Sequence, residues 1–428
     1  MEKWEKIERI PAPALAPVYG PLSGMRVLVS GTIVAAPFAA TMLSDFGAEL
    51  IQIERPKIGD PYRGQSPQVT NGDRTISAAW IQGARNRLSF TLNTNMKIPE
   101  SKEIFLSLIK ISDVWVENMV WIEKLGITDE MLFEVNPRLI IAHISGFGRP
   151  QFGGNPEICN RGSYDPIGQA EGGYMFLNGF PEPRPPQYAA SFINDYIAAL
   201  IAANGITAAY VHAMKTGKGQ VVEVAQVEAM ARVLDDAFSC WMNAGVLKGR
   251  FGNKIPIFQP ANMYKGTDGR YVYIGAYGPD VYGRFLQALE LDPTEFPFQE
   301  AAASREAVAS PIGQELERRT QAWMEVRTAQ EIQDHLSKFR VPLGIAKTIA
   351  EIYEDPHWQA RGMFINYEDQ TLGKEVKAFG FVPKMSETPG TVWRGSPALG
   401  QDTETILSKL LGYNHSEIAD LKGKGIID

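Results

Sequence analysis

Asp195 stands at the mouth of an Ala-rich run, in Ser191-Phe-Ile-Asn-Asp195-Tyr-Ile-Ala-Ala. That run predicts a helix over residues 194–215, and a carboxylate in its first turn faces unpaired amides whose partial positive charge favours an ionised nucleophile. The same placement suits an N-cap that merely starts the helix. At the level of this segment both roles stay open, and they can coexist. A second place where chemistry is expected is the loop GTIVAAP, Gly31 to Pro37, directly after the branched run VLVS. A dinucleotide site needs glycines that let the turn approach a pyrophosphate, with an acidic residue about 20 positions on for the ribose. Only Gly31 meets that need, although Glu54 lies near the right distance, so no nicotinamide or flavin cofactor is expected. Cys159 and Cys240 are far apart and form no CxxC or Cys/His cluster, which points away from a disulfide framework and from a metal site. His143 lies in an apolar strand and reads as a satisfied core residue, while His357 and His415 read as surface or capping positions.

The elements that must carry these residues alternate between strand and helix. Residues 27–56 read as strand, loop, helix, strand, with Phe38, Met42, Leu43 and Phe46 at helical spacing between VLVS and ELIQIE. This is the opening βαβ of a parallel sheet. Further strands are expected at 87–93, 113–117 and 138–145, with helices around 102–111 and 128–135 between them. After the Ala-rich helix, closed by Thr216-Gly-Lys-Gly219, come a strand at 221–224 and a helix from about 226 to 245. From about residue 251 the texture changes. Short strands at 261–264 and 271–274 flank Thr267-Asp-Gly-Arg270, and charged helices fill roughly 280–339. A helix near 349–354, strand and loop segments through 381, and final helices at 403–411 and 416–422 complete the chain. The expected domains are a large α/β part over 1–225, a linker helix over 226–250, a small α+β domain over 251–340, and a linker with a further segment over 341–428.

With 428 residues, 44% hydrophobic and 21% charged, the chain has the composition of a globular protein. Its net charge of −7 argues against nucleic acid as a partner, because neutralising phosphates takes clustered Lys and Arg. A local basic pocket for one phosphorylated ligand is compatible with it. The opening MEKWEKIERIPAPALAPVYGPL is charged and then proline-rich, without a signal-peptide core, so an extended arm and a reducing cytoplasmic setting are expected. Residues 196–214 carry no formal charge and approach the length of a membrane span. Asn204, Gly205, Thr207 and His212 make their transfer into lipid poor, so a buried helix and no membrane partner are expected.

Five segments carry a resemblance: GPLSGMRVLVSG with FGAELIQIERP; GITDEMLFEVNPRLIIAHISGFG; TGKGQVVEVAQVEAM; DPHWQARG; and the tail PGTVWRGSPALGQDTETIL. In this order, over nearly the whole chain, they resemble the family III CoA-transferases, most closely the L-carnitine (crotonobetaine) and bile-acid CoA-transferases. The resemblance implies a large Rossmann-type domain built from both chain ends, a smaller domain between them, and a homodimer of interlocked ring-like subunits. It implies that Asp195 is the nucleophile, which attacks an acyl-CoA thioester and passes through an anhydride and an aspartyl-CoA thioester to a free carboxylic acid. Coenzyme A is then a substrate, and no metal or redox cofactor is required. By position, Ile33, Val34 and Ala35 would lie along the CoA, Arg55 would approach its adenosine phosphates, and Arg87, Asn118 and Lys124 would line the rest. A family lysine beyond RLIIAHI is Ser145 here, so one basic contact is absent. A glycine-rich mobile loop of the related formyl-CoA transferase corresponds to Ile255-Pro-Ile-Phe-Gln-Pro-Ala-Asn262, a departure at the expected water shield.

A racemase on the same scaffold would use a histidine in a Gly-His-Asp segment, where this chain has Ser163-Tyr164-Asp165. That tyrosine weighs against racemisation. A non-catalytic partner subunit is a further alternative. For the acid, the resemblance of the tail implies a carnitine-like zwitterion, which an aromatic wall drawn from Trp115, Trp121, Tyr164, Tyr174, Phe176, Tyr188 and Trp241 would suit. Bile acids and other carboxylic acids are the alternatives. Asp165 and Glu171 either assist the chemistry or order their loop.

Overall fold

The computed structural model describes residues 8–119 and 121–428. The charged opening of the expected arm, residues 1–7, lies outside them. Eight strands belong to the first part of the chain: β1 (Arg26–Val29), β2 (Glu49–Glu54), β3 (Gln68–Asn71), β4 (Arg74–Ser77), β5 (Arg87–Thr91), β6 (Val114–Glu117), β7 (Ile140–Ser145) and β8 (Gln220–Ala225). Six of them form one parallel sheet in the order β5-β2-β1-β6-β7-β8. Every residue of β1, β2, β5 and β6 is buried, as expected of a parallel sheet covered on both faces. On one face lie helices Ala35–Ser44 and Ile193–Thr216, on the other Pro99–Lys110 and Thr403–Leu411. The chain leaves β1 in one direction for β2 and returns on its other side to β6. The crevice beyond the carboxyl ends of β1 and β6 is therefore the switch point where open α/β sheets receive ligands.

Helix Ile193–Thr216 buries Ala198, Ala199, Ala202, Ala203 and Ala209 against Ala35, Ala36, Ala39 and Ala40 of the facing helix, in one core with the sheet. Small side chains on both helices let their axes approach closely. Gly217, in the left-handed region at φ 76°, ends the helix. This helix is long and apolar enough to cross a membrane by length and composition, and its alanine stripe is spent on the core.

The edge strand β5 is covered by the returning C-terminal segment. Asn86 N–H donates to the Arg394 carbonyl, Asp402 N–H to that of Ser89, and Asn93 N–H to that of Ile426. This blunts an edge that would otherwise offer free amides. One compact unit thus comprises the chain through Tyr174, then Ala189–Asp235 and Ala360–Asp428. The other comprises Met175–Tyr188 and Asp236–Gln359; its antiparallel sheet joins β9 (Ala261–Lys265), β10 (Tyr271–Gly275) and β11 (Leu343–Ile345), with a core around Phe285, Leu316 and Ile332.

Two local readings differ from the sequence expectation. The single helix over 226–245 is two, Gln226–Ala231 and Ala237–Ala244, because Asp235 adopts φ 54° and breaks the hydrogen-bond run. A hairpin, β3 and β4, occupies residues 68–77, which carried no assigned element.

Candidate active site

Asp195 is the third residue of its helix and does not cap it. The cap position is Phe192, which follows Ser191 into the left-handed region (φ 49° and 74°) and offers no side-chain acceptor. Asp165 supplies the acceptor instead. Its Oδ1 receives the N–H of Asn194 at 2.7 Å and that of Asp195 at 3.3 Å, and its Oδ2 receives Gln169 Nε2 at 2.7 Å. Asp165 thereby orders the turn and starts the helix, whereas Glu171 pairs with Arg161 on the exposed surface. With the cap served from outside, the Asp195 carboxylate is left for another purpose. Its Oδ1 accepts a hydrogen bond from the side chain of Gln226, the first residue of the helix that follows β8.

Asp195 is not held ionised by the helix terminus as the sequence suggested. Burial, with the neighbouring Asp165 charge adding to it, pushes its carboxyl up to about 7, against the opposing effect of the Gln226 amide. A carboxylate poised there is a strong enough base to be nucleophilic and still deprotonates near neutrality.

Asp195 lines a cavity of about 590 Å³ with Ile33, Val34, Tyr62, Tyr164 and Phe192. The loop Ile33–Val34 is held under strain. Ile33 adopts φ 66°, unusual for a branched residue, and its N–H donates to both oxygens of buried Asp60 at 3.0 and 3.1 Å. Asp60 also accepts from Tyr62 N–H at 2.9 Å and Gln52 Nε2 at 3.0 Å. Burial raises its pKa. Gly31 is needed because a Cβ there would lie 2.5 Å from Asn118 Oδ1, and Asn118 pairs with both backbone groups of Thr32 at 3.0 Å.

A larger cavity, about 740 Å³, opens at the carboxyl ends of β1, β2 and β5, lined by Ser30, Thr32, Arg55, Lys57, Asp60 and Asn93 among others. Of the residues expected along CoA, Arg55 lines this cavity and is exposed. Ile33 and Val34 line the Asp195 cavity, Ala35 is buried at the start of its helix, and Asn118 is committed to Thr32. Lys124 lies on the surface over the Trp121 ring, 4.3 Å from its centre. Arg87 does not reach the large cavity. Both faces of the sheet are covered at β5, so its side chain is 1% exposed and bonds Gln52, Thr41 and the Gly83 carbonyl.

Among the aromatics expected at the acid, Tyr164 lines the Asp195 cavity, whereas Trp115 is a core residue that donates to Ser30 Oγ at 2.9 Å. Phe176, Tyr188 and Trp241 belong to the other compact unit. His143 is fully buried between Glu117 (2.5 Å) and Asp129 (3.0 Å); burial opposes its protonation, but the two carboxylates outweigh it and raise its pKa. Gln226, Asp60 and Tyr62 went unassigned in the sequence. Gln226 lies within the quoted TGKGQVVEVAQVEAM segment at the end of a strand, the one signal that marked it. Among the described residues no group of His, Cys, Asp and Glu has the arrangement of a metal site.

Residues 22–403 match the family model for CoA-transferase family III. The chain is 36% identical over 414 residues to the bile acid CoA-transferase BaiK of Clostridium scindens, covering 96% of this chain and 90% of that one. It is 35% identical to the succinyl-CoA–D-citramalate CoA-transferase of Chloroflexus aurantiacus (95% and 98% covered) and 32% identical to that organism's succinyl-CoA–L-malate CoA-transferase alpha subunit (95% and 92%). Among solved structures, a CAIB/BAIF family protein from Brucella suis superposes with a TM-score of 0.77 at 25% identity, over 91% of this chain and 99% of that one. Rv3272 from M. tuberculosis shares the fold with a TM-score of 0.77 at 23% identity, over 92% and 100%.

Proposed function

Because the chain belongs to CoA-transferase family III, we propose that Asp195 is the nucleophile that carries CoA from an acyl-CoA donor to a free carboxylic acid. The observation that carries this reading is a half-buried carboxylate, relieved of capping by Asp165 and oriented by Gln226, on the wall of a cavity of about 590 Å³. The ionised Asp195 adds to the thioester carbonyl, the C–S bond breaks, and a mixed anhydride and CoA thiolate form. The thiolate then attacks the aspartyl carbonyl, releasing the donor acid and leaving an aspartyl-CoA thioester. The acceptor carboxylate displaces the thiolate to form a second anhydride, and thiolate attack on its acyl carbonyl yields the new acyl-CoA and free Asp195. The Gln226 amide, bonded to Asp195 Oδ1, is a donor available to charge that develops on the aspartyl oxygen. The nucleotide end of CoA fits the larger cavity at the switch point, where Arg55 and Lys57 meet phosphate charge.

A carnitine-like acid would bring a trimethylammonium group next to aromatic rings. The buried Arg87 cation, 5.3 Å from the centre of the Trp80 ring, works against a second cation there, and the relatives' names carry bile acid, malate and citramalate instead. The acid we favour has no cation at its far end. One relative is named as an alpha subunit, which supports a second reading in which a paralogous subunit must join before exchange occurs. Mass-spectrometric CoA exchange with purified protein, several acyl-CoA donors and a pool of free acids tests both. A new acyl-CoA from the protein alone, lost in Asp195→Ala and accompanied by hydroxylamine trapping at Asp195, is the expected result. Turnover that survives Asp195→Ala would sink the nucleophile assignment, and exchange that appears only with a paralogue present would favour the second reading.

A further inference from the structure

Arg87 is a buried cation without a carboxylate in contact. Its guanidinium bonds only neutral groups, the Gln52 side chain, the Thr41 hydroxyl at 2.5 Å and the Gly83 carbonyl, and its Nε–H has no partner among the described residues. The carboxylates of Asp60 and Glu54 act on it only beyond ion-pair distance, and burial lowers its pKa to about 10, so it stays charged at neutral pH. A buried charge is costly unless something completes its hydrogen bonding. Its neighbour is a small cavity of about 140 Å³, walled by Phe38, Tyr62, Trp80 and Tyr196 with Arg87 itself contributing to the lining. That cavity adjoins the Asp195 cavity, since Ile33, Val34 and Tyr62 line both. Tyr62 is hydrogen-bonded to Tyr196, the residue next to Asp195.

We propose that this small cavity is an acyl subsite for dicarboxylic acids, in which the Arg87 guanidinium receives the carboxylate at the far end of the acyl group while the near carbonyl lies at Asp195. The aromatic wall covers the intervening methylenes, and the unpartnered Nε–H is the donor left for one carboxylate oxygen. The cavity is too small for a bulky ring system, so large hydrophobic acids are excluded from it. The inference rests on the transfer reading above, and its test separates the two.

The half-reaction to measure is acyl exchange between an acyl-CoA and isotopically labelled CoA. Succinyl-CoA and butyryl-CoA share a four-carbon chain and differ at its far end, a carboxylate against a methyl group. The wild-type protein is expected to favour succinyl-CoA in kcat/KM by about 10- to 100-fold, the range of charge-assisted hydrogen bonds to a buried partner. Arg87→Met is expected to erase that preference, succinyl-CoA exchange falling further than butyryl-CoA exchange. Arg87→Lys, which keeps the charge and loses the Nε–H, is expected to retain part of it. Equal exchange of the two donors by the wild type would overturn the subsite and leave the transfer reading intact, without relying on any variant to fold. Exchange from neither donor would count against transfer by the protein alone. In that case calorimetric titration with succinate and butyrate decides the subsite: succinate binding lost in Arg87→Met supports it, and equal binding of the two acids refutes it.

Discussion

Replacing Asp195 by Asn should make the protein more stable, and increasingly so as pH rises. The folded carboxyl titrates at about 7 against an ordinary value of 3.8, so folding favours its protonated form. For a pKa raised by folding, that contribution is fully present below pH 3.8 and is lost as pH climbs to about 7. Roughly 3 units at 1.36 kcal/mol each set a ceiling of about 4 kcal/mol, of which about 2.6 kcal/mol accrues between pH 5 and pH 8. The cavity side of Asp195 is open to water, which screens the charge, and about half of that is a realistic size. Urea unfolding at pH 5, 6, 7 and 8 should therefore show Asp195→Asn gaining on the wild type by about 1 to 2.5 kcal/mol across the series. The same titration should govern chemistry, since only the carboxylate attacks. The wild-type kcat/KM for acyl-CoA is expected to rise with pH through an apparent pKa near 7. A rate profile flat from pH 5 to pH 8, together with an Asn variant no more stable than the wild type at pH 8, would refute the reasoning.

Other perturbations follow from the same contacts. Gln226→Ala removes the one hydrogen bond that lowers the Asp195 pKa, so the midpoint of the rate profile should move upward and activity at pH 7 fall by about 3- to 10-fold. Asp60→Ala strands the N–H groups of Ile33 and Tyr62 and the Gln52 amide, and should cost about 3 kcal/mol in denaturant unfolding together with a raised KM for acyl-CoA. Gly168→Ala places a Cβ 1.7 Å from Asn194 Nδ2, at the start of the Asp195 helix; a loss of about 1–3 kcal/mol is expected, with kcat falling as the carboxylate shifts.

The opening βαβ was legible because its strands are short branched runs and its helix has apolar spacing, both local signals. That Asp195 sits in the first turn of its helix was legible, but its ionisation was not. Its pKa depends on Asp165 and Gln226, which lie 30 and 31 residues away and leave no periodic trace. Arg87 illustrates a different blindness: in a strand buried on both faces, alternation carries no cue to which polar residue faces a ligand and which faces the core. The hairpin at 68–77 has a local signal too, since Gly72-Asp73 between two extended runs is a two-residue loop with glycine first. The break at Asp235 was not readable, because a single residue with positive φ inside a helical pattern announces nothing locally.

Asp60 faces the large cavity, yet its carboxylate grips the amide of Ile33, whose side chain walls the two smaller ones. The strained turn at Ile33 is thus a partition between the cavities, held from the side of the large one. If the two ends of one substrate occupy these cavities, each end meets the same hydrogen bond, that of the Ile33 amide to Asp60, from opposite sides.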